Sequence, residues 1–263
     1  MRKALANSTF GKVIHEIIKE ESVYYNFPVS LLGELLDYTS ETFQKILAWA
    51  TYDYIKNHEK EGEHGYNTFQ GETGWKSIKP AVEALQYSHN GNMVQWYKYC
   101  GEIYKNHKGA RTGLSHSQYW ELRDNFSKMF DEEKVVWIAF LAAKSILGNK
   151  VHCKTNDLLL FARMNGLSGA YSSDTEVKSK SHPLIASFFT RRKRETLRRI
   201  LADKFHMAIY SNHDRGYYIS SKLSLNKLAV LVESSRKDTI KSHKDKLAAA
   251  RALALAKLAE KPP

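Results

Sequence analysis

The chain has 263 residues, with 40 Lys and Arg against 28 Asp and Glu, a formal net charge of +12 and 43% apolar residues. That composition supports a packed core and excludes wholesale disorder, a collagen-like chain and a disulfide-stapled miniprotein. The charge is unevenly placed: residues 1–150 hold 18 basic and 18 acidic side chains, whereas residues 151–263 hold 22 basic and 10 acidic ones. The whole excess lies in the second stretch, and a polyanion is the class of partner that such a field attracts.

In the first stretch, the opening residues lack an apolar run of signal-peptide length. Ser40 offers an N-cap to a helix from about Glu41 to His58, in which Phe43, Ile46, Leu47, Ala50 and Tyr54 recur at three- and four-residue spacing. Glu59 to Trp75 has no periodicity and reads as a loop, and Pro80 opens a short helix carrying Ala81, Val82, Ala84 and Leu85. A further helix runs from Asn92 to His107. Ser115 and Gln118 then form a capping box for a helix carrying Tyr119, Leu122, Phe126 and Met129. Asp131 caps the next one, Glu132 to Leu147, closed by Gly148. Its apolar run, interrupted by Lys144, is too short to cross a bilayer and belongs at the centre of a soluble fold. Residues 1–150 therefore read as a neutral, all-helical domain suited to a protein partner or a scaffold. Cys100 and Cys153 read as free thiols of a reducing cytoplasm, and the lack of a bilayer-length apolar run places the protein away from membranes.

In the second stretch, Thr155 caps a helix from Asn156 to Met164, and Ser168 to Ser181 is polar and serine-rich, as in an exposed loop or hinge. Pro183 opens a short element with Leu184, Ile185, Phe188 and Phe189. Thr190 then caps a helix whose Leu197, Ile200, Leu201 and Phe205 form one apolar stripe. Arg191, Arg192, Lys193, Arg194, Arg198, Arg199 and Lys204 fill much of the remaining surface. Two β-prone runs, Met207 to Ser211 and Tyr217 to Ser220, flank a turn containing Asn212, Asp214 and Gly216, which predicts a hairpin and is the one strong β signal in the chain. From Ser224 onward the sequence is helical. Leu225, Leu228, Leu231 and Val232 suit packing, and the alanine-rich end suits either a homo-oligomer contact or a solvated tail.

The short helix Leu184 to Phe189, the basic helix from Arg191 with Thr196 in it, and the run Ile209, Ser211, Arg215, Gly216, Tyr217, Tyr218, Ile219 together resemble the winged helix-turn-helix family. The resemblance covers about residues 155–220. It implies a second helix that enters the major groove of double-stranded DNA and a hairpin wing that lies along adjacent backbone or minor groove. The setting it implies is a transcription regulator or a replication-initiation accessory protein of a phage or mobile element. The segment Ser168 to Ser181 is longer than the usual link between the first two helices of that family. Arginines in the major groove can pair bidentately with guanine, and Thr196 suits a phosphate or a thymine methyl. The DNA-binding set is thus Arg191, Arg192, Lys193, Arg194, Thr196, Arg198 and Arg199 on the helix, with His213 and Arg215 in the wing.

Enzymatic readings lack a motif. No P-loop, dinucleotide fingerprint or serine elbow occurs, and His152 beside Cys153 is not a metal-ligand spacing. His213 with Tyr217 has no carboxylate or arginine cluster around it from which to cleave a DNA strand. The sequence therefore points to a mainly α protein without catalytic residues, metal or cofactor. Its parts are an N-terminal helical domain, a basic winged helix-turn-helix over 151–230 with one β-hairpin, and a helical tail over 231–263. An adaptor that holds an acidic partner or nucleic acid without reading sequence is the alternative.

Overall fold

The computed structural model describes residues 24–60, 93–169, 171, 173–211 and 216–259. The expected helix at Ala81 to Leu85, nearly all of the loop from Glu59 to Trp75, and the wing residues His213 and Arg215 lie outside the described residues.

The structure is mainly helical, with two small sheets. Strand β1 (Tyr24–Pro28) leads through a 3-10 turn into α1 (Thr39–Lys60). Helix α2 (Met93–Asn106), β2 (Arg111–Ser115), α3 (His116–Asn125) and α4 (Asp131–Leu147) follow. Then come β3 (Cys153–Thr155), α5 (Asp157–Met164), α6 (Asp174–Ser179) and α7 (Pro183–Ala186), the last continuing into a 3-10 turn over Ser187–Phe189. The chain goes on through α8 (Arg191–Phe205), β4 (Ala208–Tyr210), β5 (Tyr217–Ser220) and α9 (Leu225–Ala259). Among the described residues, no helix is long and apolar enough to cross a membrane.

Helix α4 is buried along most of its length, from Val135 to Ala143, and packs against β2, α5 and α8. Its sequence has too little polar surface to sit anywhere but inside. Two side-chain ties fix it to β2. The Thr112 hydroxyl donates to the Leu141 carbonyl at 2.7 Å, and the Lys144 ammonium donates to the Gly113 carbonyl. The Ser115 capping box is present in full: Ser115 Oγ accepts from the Gln118 N–H, and Gln118 Oε1 accepts from the Ser115 N–H. Three caps depart from expectation, the first because α1 begins at Thr39 and so already contains Ser40. Asp131 is the first residue of α4, where its charge favours the helix dipole, and it is Glu133 that accepts from the Phe130 N–H ahead of the helix. Asn156, not Thr155, caps α5 by accepting from the Leu159 N–H at 2.8 Å, because Thr155 is the last residue of β3.

The strands extend beyond the single hairpin that the sequence predicts. In the first 150 residues β1 pairs antiparallel with β2, so this stretch is not all-helical. Tyr25 opposes Leu114, and Phe27 opposes Thr112. Further on, β3 adds to the hairpin to make a three-stranded antiparallel sheet in the order β3-β5-β4, with Ile219 between Cys153 and Ile209. Ser220, fully buried, ends the central strand: its hydroxyl donates to the Val151 carbonyl and accepts from the Lys222 and Leu223 N–H groups.

The polar segment Ser168 to Ser181 is likewise more ordered than its composition implies, for it contains α6. Ser173 caps that helix, Val177 anchors it in the core, and Asn165 holds its far end by donating to Ser181 Oγ and accepting from the His182 N–H. One hydrophobic core runs from Tyr25 to Ile219 and passes through residue 150 without a break. A second, smaller cluster seats the start of α9 on the hairpin through Leu228 and Val232, and the Tyr210 hydroxyl donates to Glu233. From Lys237 to Ser242 and from Lys244 to Arg251, α9 is exposed on every side.

Candidate nucleic-acid interface

Helix α8 has two unlike sides, set by the 3.6-residue repeat. Leu197 and Leu201 are buried against the core, and Arg194 and Arg198, three residues before each of them, lie on the same side. Those two arginines are largely buried, and carboxylates from other elements meet them there. Arg198 Nη1 donates to both oxygens of Asp157, at 2.8 and 2.9 Å. Arg194 donates from Nη2 to Asp174 and stands 3.8 Å from Asp157. Aromatic faces complete their surroundings: the Arg194 guanidinium lies over Phe161 and Phe189, and that of Arg198 lies over Tyr217 at 5.2 Å. The inward arginines therefore lock α8 to the first turns of α5 and α6 and to β5.

The outward side carries the remaining cations. Arg191, Arg192, Lys193 and Arg199 are exposed, and Thr196 is half-buried. Arg192, Thr196 and Arg199 follow at steps of four and three, so they share one face, opposite the Leu197 side. Two carboxylates temper this surface. Glu195 accepts from Arg191 Nε at 3.0 Å, and exposed Asp203 continues the outward stripe. Lys193 places its ammonium 4.9 Å from the Phe188 ring centre. Of the nine sequence-predicted site residues, seven thus stand together on α8 and divide into an anchored pair, Arg194 and Arg198, and an outward group. His213 and Arg215 lie outside the described residues.

The hairpin is held tightly at its base. Gly216 has φ +105°, and a Cβ there would stand 2.2 Å from the Thr155 carbonyl oxygen, so only glycine lets β5 return beside β3. Tyr217, next in sequence, is buried beside Asp157 and Arg198, and burial raises its phenol far above the ordinary range. A hydroxyl held neutral in this way is a poor nucleophile.

Sequence reasoning missed Asp157 and Asp174, which neutralise part of the basic helix. Their only local signal is an acidic residue in the first turn of a helix, and that position by itself favours the helix dipole whether or not an arginine is near. It also missed Lys154 of β3, which registers opposite Tyr218 and holds its ammonium 6.0 Å from that ring. No family model, curated protein or solved structure matches this chain.

Proposed function

We propose that the basic part of the chain binds double-stranded DNA as a winged helix-turn-helix, with α8 in the major groove and the β4–β5 hairpin as the wing. Its role on this reading is that of a transcription regulator or a replication-initiation accessory protein. The observation that carries the reading is the two-sided build of α8. One side is anchored by Leu197, Leu201 and two ion-paired arginines, and the other presents exposed Arg192 and Arg199 with half-buried Thr196 between them on one face. A rigidly seated helix with a cationic outer stripe has what groove insertion requires. The strand order β3-β5-β4, with the hairpin at one edge of the sheet and α7 directly ahead of α8, supports the same reading.

Equilibrium binding of a labelled duplex at several salt concentrations tests it. Counterion release makes log K fall linearly with log salt, by about 0.9 for each phosphate neutralised. Arg192→Ala with Arg199→Ala should weaken binding, flattening that slope where these side chains meet phosphate and erasing sequence preference where they meet bases. Absence of duplex binding at low salt would sink the proposal. Binding that shows no preference over an excess of random DNA would point to the adaptor alternative.

A further inference from the structure

The first two turns of α8 border a cavity of about 290 Å³, open to solvent and lined by Asp157, Phe189, Arg191, Arg194 and Arg198. Three of its five lining residues are arginines, each of which also meets a carboxylate: Glu195 for Arg191, Asp174 for Arg194 and Asp157 for Arg198; Phe189 supplies an apolar wall. The donors are only partly used. Asp157 takes one nitrogen of Arg198, Asp174 takes one of Arg194, and Glu195 takes Nε of Arg191 from the solvent side. The Arg194 Nε is buried and finds no acceptor among the described residues. Asp174 and Glu195, each about half exposed, pair with Arg194 and Arg191 and do not line the cavity, so an incoming anion competes with them for these guanidiniums.

From this arrangement we infer that the cavity is a phosphate-group site, in which Arg191 and Arg194 grip a phosphoryl group and Asp157 holds Arg198 and Arg194 in place behind it. A guanidinium presents a planar fork that matches phosphate oxygens, and two of them converging on one concavity select a tetrahedral anion over chloride. Asp157 is a positioning residue here, holding Arg198 directly through both its oxygens and standing 3.8 Å from Arg194, which Asp174 also holds. The phosphoryl group could come from a DNA backbone or from a free phosphate monoester. The first source rests on the DNA-binding reading above, and the second stands without it.

The test is a titration of the full chain with inorganic phosphate, followed by NMR of backbone amides and arginine Nε–H groups, against sodium chloride at equal ionic strength. Saturable shifts confined to residues 189–194 and 198 are expected with phosphate and not with chloride. Arg191→Ala, at a side chain that is 94% exposed and so not needed for folding, should weaken phosphate binding about tenfold. Phosphate is then added to the complex with labelled duplex. Displacement beyond that caused by chloride, lost in Arg191→Ala, assigns the site to a backbone phosphate. Phosphate binding without displacement, or without any duplex binding at all, assigns it to a free phosphate group, and in the latter case the DNA reading falls while the site stands. Shifts that track ionic strength alone, or that are unchanged in Arg191→Ala, overturn the inference, whatever the duplex does.

Discussion

Arg198 of α8 and Asp157 of α5, 41 residues apart in sequence, meet through one guanidinium nitrogen that donates to both carboxylate oxygens. Both side chains are about four-fifths buried, and the Tyr217 ring covers the guanidinium. The pair lies between the exposed class of ion pairs, worth under about 1 kcal/mol, and the fully buried class, whose disruption costs about 3–5 kcal/mol. Asp157→Asn should therefore lower stability by about 2 kcal/mol. A double-mutant cycle with Arg198→Met, measured by urea denaturation, should show positive coupling, because each single change strands the other partner. Additive effects would mean that the pair contributes nothing beyond its packing.

Gly216 is the point at which the hairpin can least tolerate change. Gly216→Ala combines a strained φ with a Cβ placed 2.2 Å from the Thr155 carbonyl oxygen, and that oxygen belongs to backbone which cannot rotate away. The expected loss is about 3 kcal/mol, together with loosening of the β3–β5 pairing, read as faster hydrogen exchange at Thr155 and Tyr217. A variant as stable as the parent would show that the base of the hairpin is not built as described.

How much of this could be read from the sequence depends on whether the cause was local. The periodicity of α8, the all-round apolar run of α4, the Ser115 capping box and the pairing of Ala208–Tyr210 with Tyr217–Ser220 all come from neighbours in sequence, and all are present. Strands β1 and β2 do not read that way. Arg111–Ser115 has no alternating pattern, and its pairing is imposed from outside, by the Val29 N–H donating to the Ala110 carbonyl and by Thr112 reaching Leu141. Strand β3 is three residues long and exists because β5 returns beside it. The division of the basic cluster is illegible for the same reason. Composition counts Arg194 and Arg198 with their neighbours, and only folding brings Asp157 and Asp174 to them.

Asp174 offers a test of the anion surface that leaves the arginines intact. Its carboxylate occupies one nitrogen of Arg194 from a half-exposed position, so Asp174→Asn removes a competitor for any incoming phosphate at little cost to stability. Duplex binding at low salt should strengthen several-fold, and the salt dependence should steepen by about one phosphate contact. Unchanged affinity and slope would show that Arg194 plays no part in binding.

The end of α8 holds a conformation suited to glycine. His206 has φ 53° in the left-handed region, and its N–H donates to the Leu201 carbonyl to close the helix, while its side chain is exposed. A residue with a Cβ pays about 1 kcal/mol or more there, and glycine does not. His206→Gly should raise the midpoint of thermal unfolding, in proportion to a gain of about 1 kcal/mol, with no change in the far-ultraviolet spectrum. A lower midpoint would mean that the His206 side chain contributes to packing that its exposure does not reveal.

Lys144 contributes a pH dependence of definite sign, opposed in the same range by buried Cys100, whose thiol is pushed well above its usual value by burial. The Lys144 ammonium is drawn into the core beside the Gly113 carbonyl and the Phe140 ring, and burial pulls its pKa down from 10.5 to about 8. Because the folded pKa lies below the unfolded one, the unfolded chain binds more protons between the two, and stability rises with pH across that window. The burial penalty is present in full below about pH 8 and is relieved as the pH approaches 10.5. Buried Tyr25, Tyr119 and Tyr217 act in the opposite sense, but only above about pH 10, where unfolded phenols ionise and folded ones stay neutral. The comparison that isolates the lysine is the wild type against Lys144→Met from pH 7 to 10, by urea denaturation. The wild type should gain on the variant steadily above pH 8, by an amount on the order of 2 kcal/mol by pH 10, after which both decline together through the tyrosines. A difference between the two proteins that does not change with pH would show that Lys144 titrates alike in the folded and unfolded chains.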